Sequence, residues 1–224
     1  YMKVEGLETV KHTVPMLSLD KKNNYDDLRK WYSQTVMGEV LVQPKLDGLT
    51  VVLRYLNGNL VDAITRGNGQ EGQRVLHTIS TIPNLPMNIP FGGYLEVRGE
   101  AYIPRDVFDQ INKGEYSNPR AMAAGMVMRH DAALVQGLSI TIFDLIIAEG
   151  MEFATDFDKI KFLAQQGFQV VDTVKFSKIE HVIQLCMYYQ ETLREKLSYP
   201  IDGMVIKVDS LKLREKLGLT SKFP

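Results

Sequence analysis

Residues 40–55 read "VLVQPKLDGLTVVLRY", two apolar runs separated by a short polar stretch. The runs predict two strands, and "NGN" at 57–59 predicts a tight turn into a third strand over 60–65. Lys45 and Asp47 stand beside Gly48 in the gap between the first two strands. A lysine that leans toward an apolar interior is costly unless it is paired or used chemically. The stretch therefore predicts either a strained, salt-bridged turn or the position of a reaction.

Further strands follow along the chain. "GYLEVRGEAYIP" at 93–104 alternates, which places Leu95, Val97 and Ala101 on one face and Glu96, Arg98 and Glu100 on the other. The run at 139–147 is apolar enough to predict a central strand, and "IDGMVIKVD" at 201–209 predicts another.

Helices are predicted between and after these strands. One covers 23–36 with an asparagine cap, one covers 156–166 and ends at Gly167, and one covers 178–196. Ser177 and Glu180 have the spacing of a capping box for the third helix, and a last helix stops at Gly218. Strands outnumber helices and come in hairpins, which predicts an α+β fold with mainly antiparallel sheets.

Composition sets limits on the class of protein. Of 224 residues 45% are hydrophobic and 24% are charged, as in a soluble globular protein. No apolar run reaches the roughly 18 residues of a membrane span, and no secretion signal is visible. We therefore expect no membrane partner, and the single cysteine, Cys186, excludes an internal disulfide and fits a reducing cytoplasm. A net charge of −1 does not by itself indicate nucleic-acid binding.

Several polar residues together suggest nucleotide chemistry. A lysine that attacks a nucleotide α-phosphate forms a phosphoramide, and the leaving group needs cations or a metal. The residues available are Lys45, Arg66, Lys207, Asp47 and Glu100. Each also has an ordinary interpretation on its own. A K-x-D-G tetrapeptide is most often a surface turn, and "TRGNGQEG" is more often a hairpin loop than a phosphate loop. Glu96, Arg98 and Glu100 would by default form a solvated ion-pair ladder.

The order of the motifs resembles the adenylation domain of NAD-dependent DNA ligases over essentially the whole chain. The matching segments are "HTVPMLSLD", "PKLDG", "TRGNG", "LEVRGE", "NPRAMAAG", "IDGMVIKV" and "LGLTSKFP". The resemblance implies a covalent nucleotidyltransferase (ATP-grasp-like) fold, in which two antiparallel sheets frame an AMP pocket and helices lie outside. It also implies an enzyme of DNA replication and repair.

The resemblance implies a role for each matching residue. Lys45 would become the AMP-lysine, with Asp47 and Gly48 completing the motif, and Lys207 would neutralise the α-phosphate. The nucleotide-binding residues would be Ser18, Leu19, Gln43, Arg66, Glu100 and Lys207. Asp47 and Glu100 could hold Mg²⁺ through water, with no direct metal ligand assigned. Arg120 and Arg194 would contact phosphates or the DNA backbone, a task that suits the arginine fork.

Several positions depart from the family pattern. Gln43 replaces a glutamate that accepts a hydrogen bond from the adenine amino group, and glutamine lacks its charge. Asn68, Gln73 and Arg74 replace acidic residues of the glycine-rich segment, and Met128 replaces an arginine expected to meet DNA or phosphate. A catalytically weakened paralogue that binds nucleotide or DNA therefore stays an alternative.

The implied cofactors are NAD and Mg²⁺, and the implied partners are nicked double-stranded DNA and the remaining ligase domains in cis. We expect residues 1–224 to be an adenylation-domain fragment that lacks the N-terminal subdomain for nicotinamide mononucleotide and the C-terminal modules. An ATP- or GTP-dependent RNA ligase or capping enzyme is the enzymatic alternative, because these share the K-x-D-G logic. They lack the "NPRxxAAG" and "LSLD" segments present here.

Overall fold

The computed structural model describes residues 3–17, 19–36 and 38–217. The strands in these ranges are β1 (Thr9–Lys11), β2 (Val40–Leu46), β3 (Leu49–Leu56), β4 (Asn59–Thr65), β5 (Glu71–Gln73), β6 (Leu95–Tyr102), β7 (Ser139–Ala148), β8 (Val174–Phe176) and β9 (Ile201–Val208). The α-helices are α1 (Tyr25–Trp31), α2 (Leu76–Ile79), α3 (Arg105–Ile111), α4 (Pro119–Val127), α5 (Asp156–Gln165), α6 (Ile179–Tyr188) and α7 (Leu211–Leu217). Short π-helical turns extend α1 and α6, over Tyr32–Val36 and Tyr189–Leu193, and a 3₁₀ turn covers Ala132–Leu134.

The strands form three antiparallel sheets, which confirms the α+β prediction. Their orders are β8-β2-β9, β4-β3-β6-β7 and β1-β5. The prediction that the strand at 139–147 is central is wrong, because β7 ends the order of the four-stranded sheet. Ile142 on its outer side exchanges backbone hydrogen bonds with Gln169 and Val171 at 2.8 and 3.0 Å. This loop covers the edge, so the strand can be apolar without lying at the centre.

The three-stranded sheet carries Lys45 and packs one of its faces against helices. Val40 and Val42 on β2 pack with Val182, Ile183 and Cys186 of α6, and Leu28 of α1 joins the same cluster. Side chains alternate along a strand, so Gln43 and Lys45 lie on the opposite face. We call this opposite face, with Gln43, Lys45 and Lys207, the lysine face.

The four-stranded sheet divides in the same way. Val51, Leu53 and Tyr55 on β3 belong to the main core, together with side chains of α2, α4 and α5. Thr50 and Glu100 lie on the other, polar face. Each of the two large sheets packs one face against helices, which leaves its opposite face available for a binding or catalytic site. They approach each other where Lys207 Nζ donates to the Phe143 carbonyl at 3.4 Å.

The helix starts agree only in part with the sequence patterns. Asn24 caps α1 as predicted, and its side chain accepts a hydrogen bond from Asp27 N at 2.8 Å. The predicted capping box at α6 is wrong, since Lys178 holds the cap position without a side-chain hydrogen bond. Glu180 instead accepts a hydrogen bond from Arg29 Nε of α1 at 2.7 Å. Its carboxylate therefore binds a side chain of another helix and not the backbone at the start of α6.

None of the helices in the described ranges has both the length and the apolar character needed to span a bilayer.

Candidate active site

The turn between β2 and β3 is fixed by close backbone contacts. A Cβ at Gly48 would lie 2.0 Å from the Ala101 carbonyl oxygen on β6, so only glycine fits there. Asp47 N donates to the Pro200 carbonyl at 2.9 Å, just before β9 begins. The "KLDG" turn is therefore held between the two large sheets, and the glycine of the motif has a packing reason to be present.

Lys45 is half-exposed and paired. Its ammonium donates to both carboxylate oxygens of Asp202, at 2.9 and 2.7 Å, and 46% of the Lys45 side chain is accessible. The strand register places Gly203 opposite Lys45, with a bulge before the next pair. Lys45 is thus oriented by a carboxylate while its nitrogen stays within reach of solvent and ligand. Sequence reasoning missed Asp202, although "IDG" at the start of a predicted strand was the available signal.

Glu100 lies on the polar face of the neighbouring sheet. Its carboxylate accepts hydrogen bonds from Thr50 Oγ1 at 2.7 Å and from Gly48 N at 3.1 Å. Burial raises the pKa of Glu100 to about 7, although both hydrogen bonds and the nearby charges of Lys45 and Arg120 oppose the rise. Gly48 follows Lys45 by three residues, so its hydrogen bond to Glu100 ties the turn after Lys45 to this carboxyl group.

The expectation of a solvated ion-pair ladder on β6 is wrong. Glu96 and Glu100 are both buried. Glu96 accepts hydrogen bonds from Arg54 Nε at 2.8 Å and from Thr13 Oγ1 at 3.1 Å. Arg98 Nη2 donates to the carbonyl of Pro15 at 3.3 Å. Residues 8–16 therefore lie across this end of the polar face and remove it from water, which the local alternation of β6 could not indicate.

Gln43 occupies the lysine face two residues before Lys45 and is 2% exposed. Its Nε2 donates to Thr173 Oγ1 at 3.1 Å, in the segment just before β8. The side chain is buried and oriented, so it is equipped to present one defined polar atom to a ligand.

Lys207 lies on the same face but not beside Lys45. It pairs with Leu41, four positions before Lys45, which corresponds to about 13 Å along the strand. Its Nζ donates to the Phe143 carbonyl at 3.4 Å and lies 3.7 Å from Asp156 Oδ2. The order along this face is therefore Lys45, Gln43 and Lys207.

Arg66 and the glycine-rich loop lie at the end of β4. Arg66 N donates to the carbonyl of Thr50, the residue that bonds Glu100, at 3.1 Å. Asn68 Oδ1 accepts hydrogen bonds from the backbone N–H groups of Gln70 and Glu71, both at 2.9 Å. The hairpin-loop interpretation of "TRGNGQEG" therefore holds, and Asn68 closes the loop.

Two of the predicted nucleotide-binding residues belong to the N-terminal segment. Leu19 is 48% exposed. Ser18 lies outside the described residues.

The two predicted phosphate-contacting arginines flank the turn after Lys45. Arg120 Nη1 lies 3.4 Å from Asp47 Oδ1. Arg194 lines a cavity of about 410 Å³ together with Asp47, Arg105 and Pro200. Guanidinium groups in this position can bind phosphate oxygens on the side of the turn away from Gln43.

Three of the departures from the family pattern have structural explanations. The Gln73 side chain bonds the backbone N and O of Val4 at 2.8 and 2.7 Å, which fixes the N-terminal segment. Arg74 pairs with Asp62 at 3.0 Å and with Glu8. Met128 ends α4 and packs against the main core. These residues stabilise the fold around the site.

Comparison with solved structures defines the class: the chain has the fold of the nucleotidyltransferase domains of nucleic-acid ligases. An archaeal ATP-dependent RNA ligase aligns with a TM-score of 0.57 and 18% identity, over 88% of this chain and 46% of that chain. At this identity the likeness concerns the fold alone.

The chain belongs to the NAD-dependent DNA ligase adenylation domain family, whose model matches residues 4–224. The DNA ligase of Clostridium kluyveri is 38% identical over 232 residues, which cover 97% of this chain. The DNA ligase of Halothermothrix orenii is 38% identical over 236 residues and 99% of this chain. The chain spans about a third of these relatives, 35% of each.

Proposed function

We propose that this domain forms a covalent AMP adduct at Lys45 as the first step of NAD-dependent DNA ligation. The Lys45 ammonium gives one proton to the Asp202 carboxylate, and the freed amine attacks the α-phosphorus of NAD. A nitrogen–phosphorus bond forms as the bond from the α-phosphorus to the bridging oxygen breaks. Nicotinamide mononucleotide leaves with that oxygen, and the nitrogen releases its remaining extra proton to solvent. The observation that carries the proposal is Lys45 itself, which is half-exposed, oriented by Asp202 and followed by a turn whose Gly48 N–H binds buried Glu100. Family membership supports NAD as the nucleotide.

The positions along the lysine face suggest how the nucleotide lies. If the α-phosphorus is at Lys45, Glu100 is placed to accept hydrogen bonds from the ribose, and Gln43 is placed at the base. Because Lys207 lies beyond Gln43 in the register, we propose it for the base end of the nucleotide in place of the α-phosphate. Arg66, Ser18 and Leu19 complete the nucleotide-binding set by resemblance.

The residues present suit a magnesium ion held through water. Among the residues that the structure describes, no group of three or more His, Cys, Asp or Glu side chains could hold a metal by itself. Mg²⁺ commonly keeps several waters and binds through one or two carboxylates and substrate phosphates. We propose Asp47 and Glu100 as the carboxylates that hold such an ion. When bound, it would neutralise charge on the phosphates.

The later steps concern DNA. We propose that AMP passes from Lys45 to the 5′-phosphate of a nick and that a 3′-hydroxyl then displaces it. Arg120 and Arg194, on the side of the turn away from Gln43, are the proposed contacts to phosphate or the DNA backbone. Nick sealing would also require the other domains of the full-length protein, since the relatives are about three times longer.

The test is to incubate the full-length protein with NAD and Mg²⁺ and to measure the mass of the peptide that contains Lys45. We expect a gain of one AMP in the parent and none in Lys45→Met, with Lys175→Met as a control that leaves the adduct intact. ATP and GTP in place of NAD test the enzymatic alternative. Absence of the adduct in the parent with NAD would overturn the proposal, and nucleotide binding without an adduct would favour the weakened paralogue.

A further inference from the structure

The orientation of the Gln43 amide is fixed by a chain of two hydrogen bonds. Thr173 Oγ1 donates to the Val171 carbonyl at 2.9 Å. A hydroxyl has one proton, so toward Gln43 the Thr173 oxygen can only accept. The Gln43 atom that faces Thr173, at 3.1 Å, is the amide nitrogen, and turning the amide over would cost the Thr173 hydroxyl its bond to Val171.

The Gln43 oxygen is the atom left for a ligand. None of the described residues donates a hydrogen bond to Oε1, and this oxygen is not sealed from solvent as a buried, unpaired atom. The side chain belongs to the same face as Lys45. Gln43 thus offers an acceptor to a ligand. It offers a donor only if the amide turns over, which costs a hydrogen bond at Thr173.

Purine bases differ in what they offer to such a group. The six-position amino group of adenine donates hydrogen bonds, whereas the six-position oxygen of guanine and of hypoxanthine accepts them. We infer that Thr173 is a positioning residue that locks Gln43 as an acceptor and thereby selects adenine over hypoxanthine and guanine. This inference rests on the proposed function, because it places the base of NAD at Gln43.

The pair also explains why a glutamine can replace the family's glutamate. A carboxylate presents an accepting oxygen whichever way it is turned, so it needs no partner to set its orientation. An amide presents a donor or an acceptor according to its rotation, so it selects a base only when a neighbour fixes it. Thr173 supplies that neighbour.

The experiment compares NAD with nicotinamide hypoxanthine dinucleotide on the full-length protein. The rate of Lys45 adduct formation is measured for both, since the AMP and IMP adducts differ in mass. We expect the parent to prefer NAD by roughly 10- to 100-fold, the effect of one buried hydrogen-bonding group left unpaired. Thr173→Val, similar in size but without the hydroxyl, should reduce this preference to within about threefold, whereas Thr173→Ser should retain it.

The Gln43→Glu background separates a loss of side-chain orientation at position 43 from a general loss of structure in Thr173→Val. In Gln43→Glu the carboxylate cannot be inverted, so adding Thr173→Val should leave the preference for NAD unchanged. Urea unfolding of each variant shows whether it is folded. The inference is overturned if Thr173→Val keeps the parental ratio, or if it lowers the ratio equally in both backgrounds.

Binding measurements keep this inference separate from the proposed function. Calorimetry with adenosine and inosine reports the same selectivity without chemistry. A parent that forms no adduct with NAD would overturn the proposed function, while the adenosine-to-inosine ratio in the parent and Thr173→Val would still decide the role of Thr173. Equal binding of both nucleosides by the parent would overturn it.

Discussion

Asp202 accepts both hydrogen bonds that Lys45 Nζ donates, although 157 positions separate the two residues in the chain. The contact exists because β2 and β9 pair antiparallel with Gly203 opposite Lys45, so Asp202 lies at the bulge that follows. The amine is held by a residue from the last third of the described chain, and its orientation depends on the sheet register.

Asp202→Asn should therefore slow adduct formation more than it lowers stability. The amide cannot accept the amine's protons with the same strength, and we expect a loss of roughly 100-fold in the rate at Lys45. The pair is partly exposed, so the free energy of unfolding should change by less than about 1 kcal/mol. Single-turnover adenylation and urea unfolding measure the two effects. Glu39→Gln, which alters another exposed pair, is the control, and an unchanged rate in Asp202→Asn would contradict the role of Asp202.

Gly48→Ala should destabilise the fold strongly. The added methyl group would lie 2.0 Å from the Ala101 carbonyl oxygen, and the backbone must shift to accept it, at a cost of about 3 kcal/mol. Gly203→Ala is the matched control, because nothing lies within 4 Å of a Cβ at that position. Urea unfolding of both variants checks the difference. Equal stabilities would show that the turn is not held against β6.

Glu100 should make stability depend on pH. Between its ordinary pKa of 4.5 and the folded value of about 7, the folded protein keeps a proton that the unfolded chain releases. The free energy of unfolding therefore falls as pH rises through this window and levels off above it. Glu100→Gln is neutral throughout and should gain roughly 3 kcal/mol on the parent across the window.

Urea unfolding at intervals from pH 4 to pH 8 measures the free energy of unfolding of parent and Glu100→Gln. The difference between the two is then compared across pH. Glu195→Gln, at an exposed position, should follow the parent. A constant difference between parent and Glu100→Gln would mean that the carboxyl group is not kept from water in solution.

Asp156→Ala should cost about 3 kcal/mol of unfolding free energy. The Asp156 carboxylate is 1% exposed and lies 3.7 Å from Lys207 Nζ and 3.5 Å from Arg214 Nη2, so its removal leaves two cations without their buried partner. Asp158→Ala removes an acid from the same first turn of α5, where Asp158 pairs with Lys161 in solvent. That variant should lose no more than about 1 kcal/mol. Equal losses in thermal or urea unfolding would show that the buried pairing contributes nothing.

Much of this fold follows from local sequence patterns. Three predicted features depend only on residues that are close in sequence, and all are present. They are the strands around Lys45, the turn at 57–59 and the cap of α1. Gly48 is likewise local in sequence, although the reason that it must be glycine is a contact with β6.

The remaining features depend on residues that are distant in sequence. Glu96 and Glu100 are buried because residues 8–16 and the β2–β3 turn cover them, which no pattern within β6 records. Asp202 and Thr173 reach Lys45 and Gln43 only through sheet pairing and a loop before β8. Glu180 fits a capping box by spacing, yet a tertiary partner in α1 binds it instead.

The chain's single thiol lies directly behind the strand that carries Lys45. Cys186 packs with Val40 and Val42 of β2, and burial raises its pKa to about 11. At neutral pH it is a protonated, shielded thiol, and we expect alkylating reagents to reach it when α6 separates from the sheet. The alkylation rate at this one atom thus reports the separation of α6 from the strand that carries Lys45, without any introduced label. If a nucleotide binds the lysine face and stabilises the sheet, we expect slower alkylation of Cys186 on the opposite face.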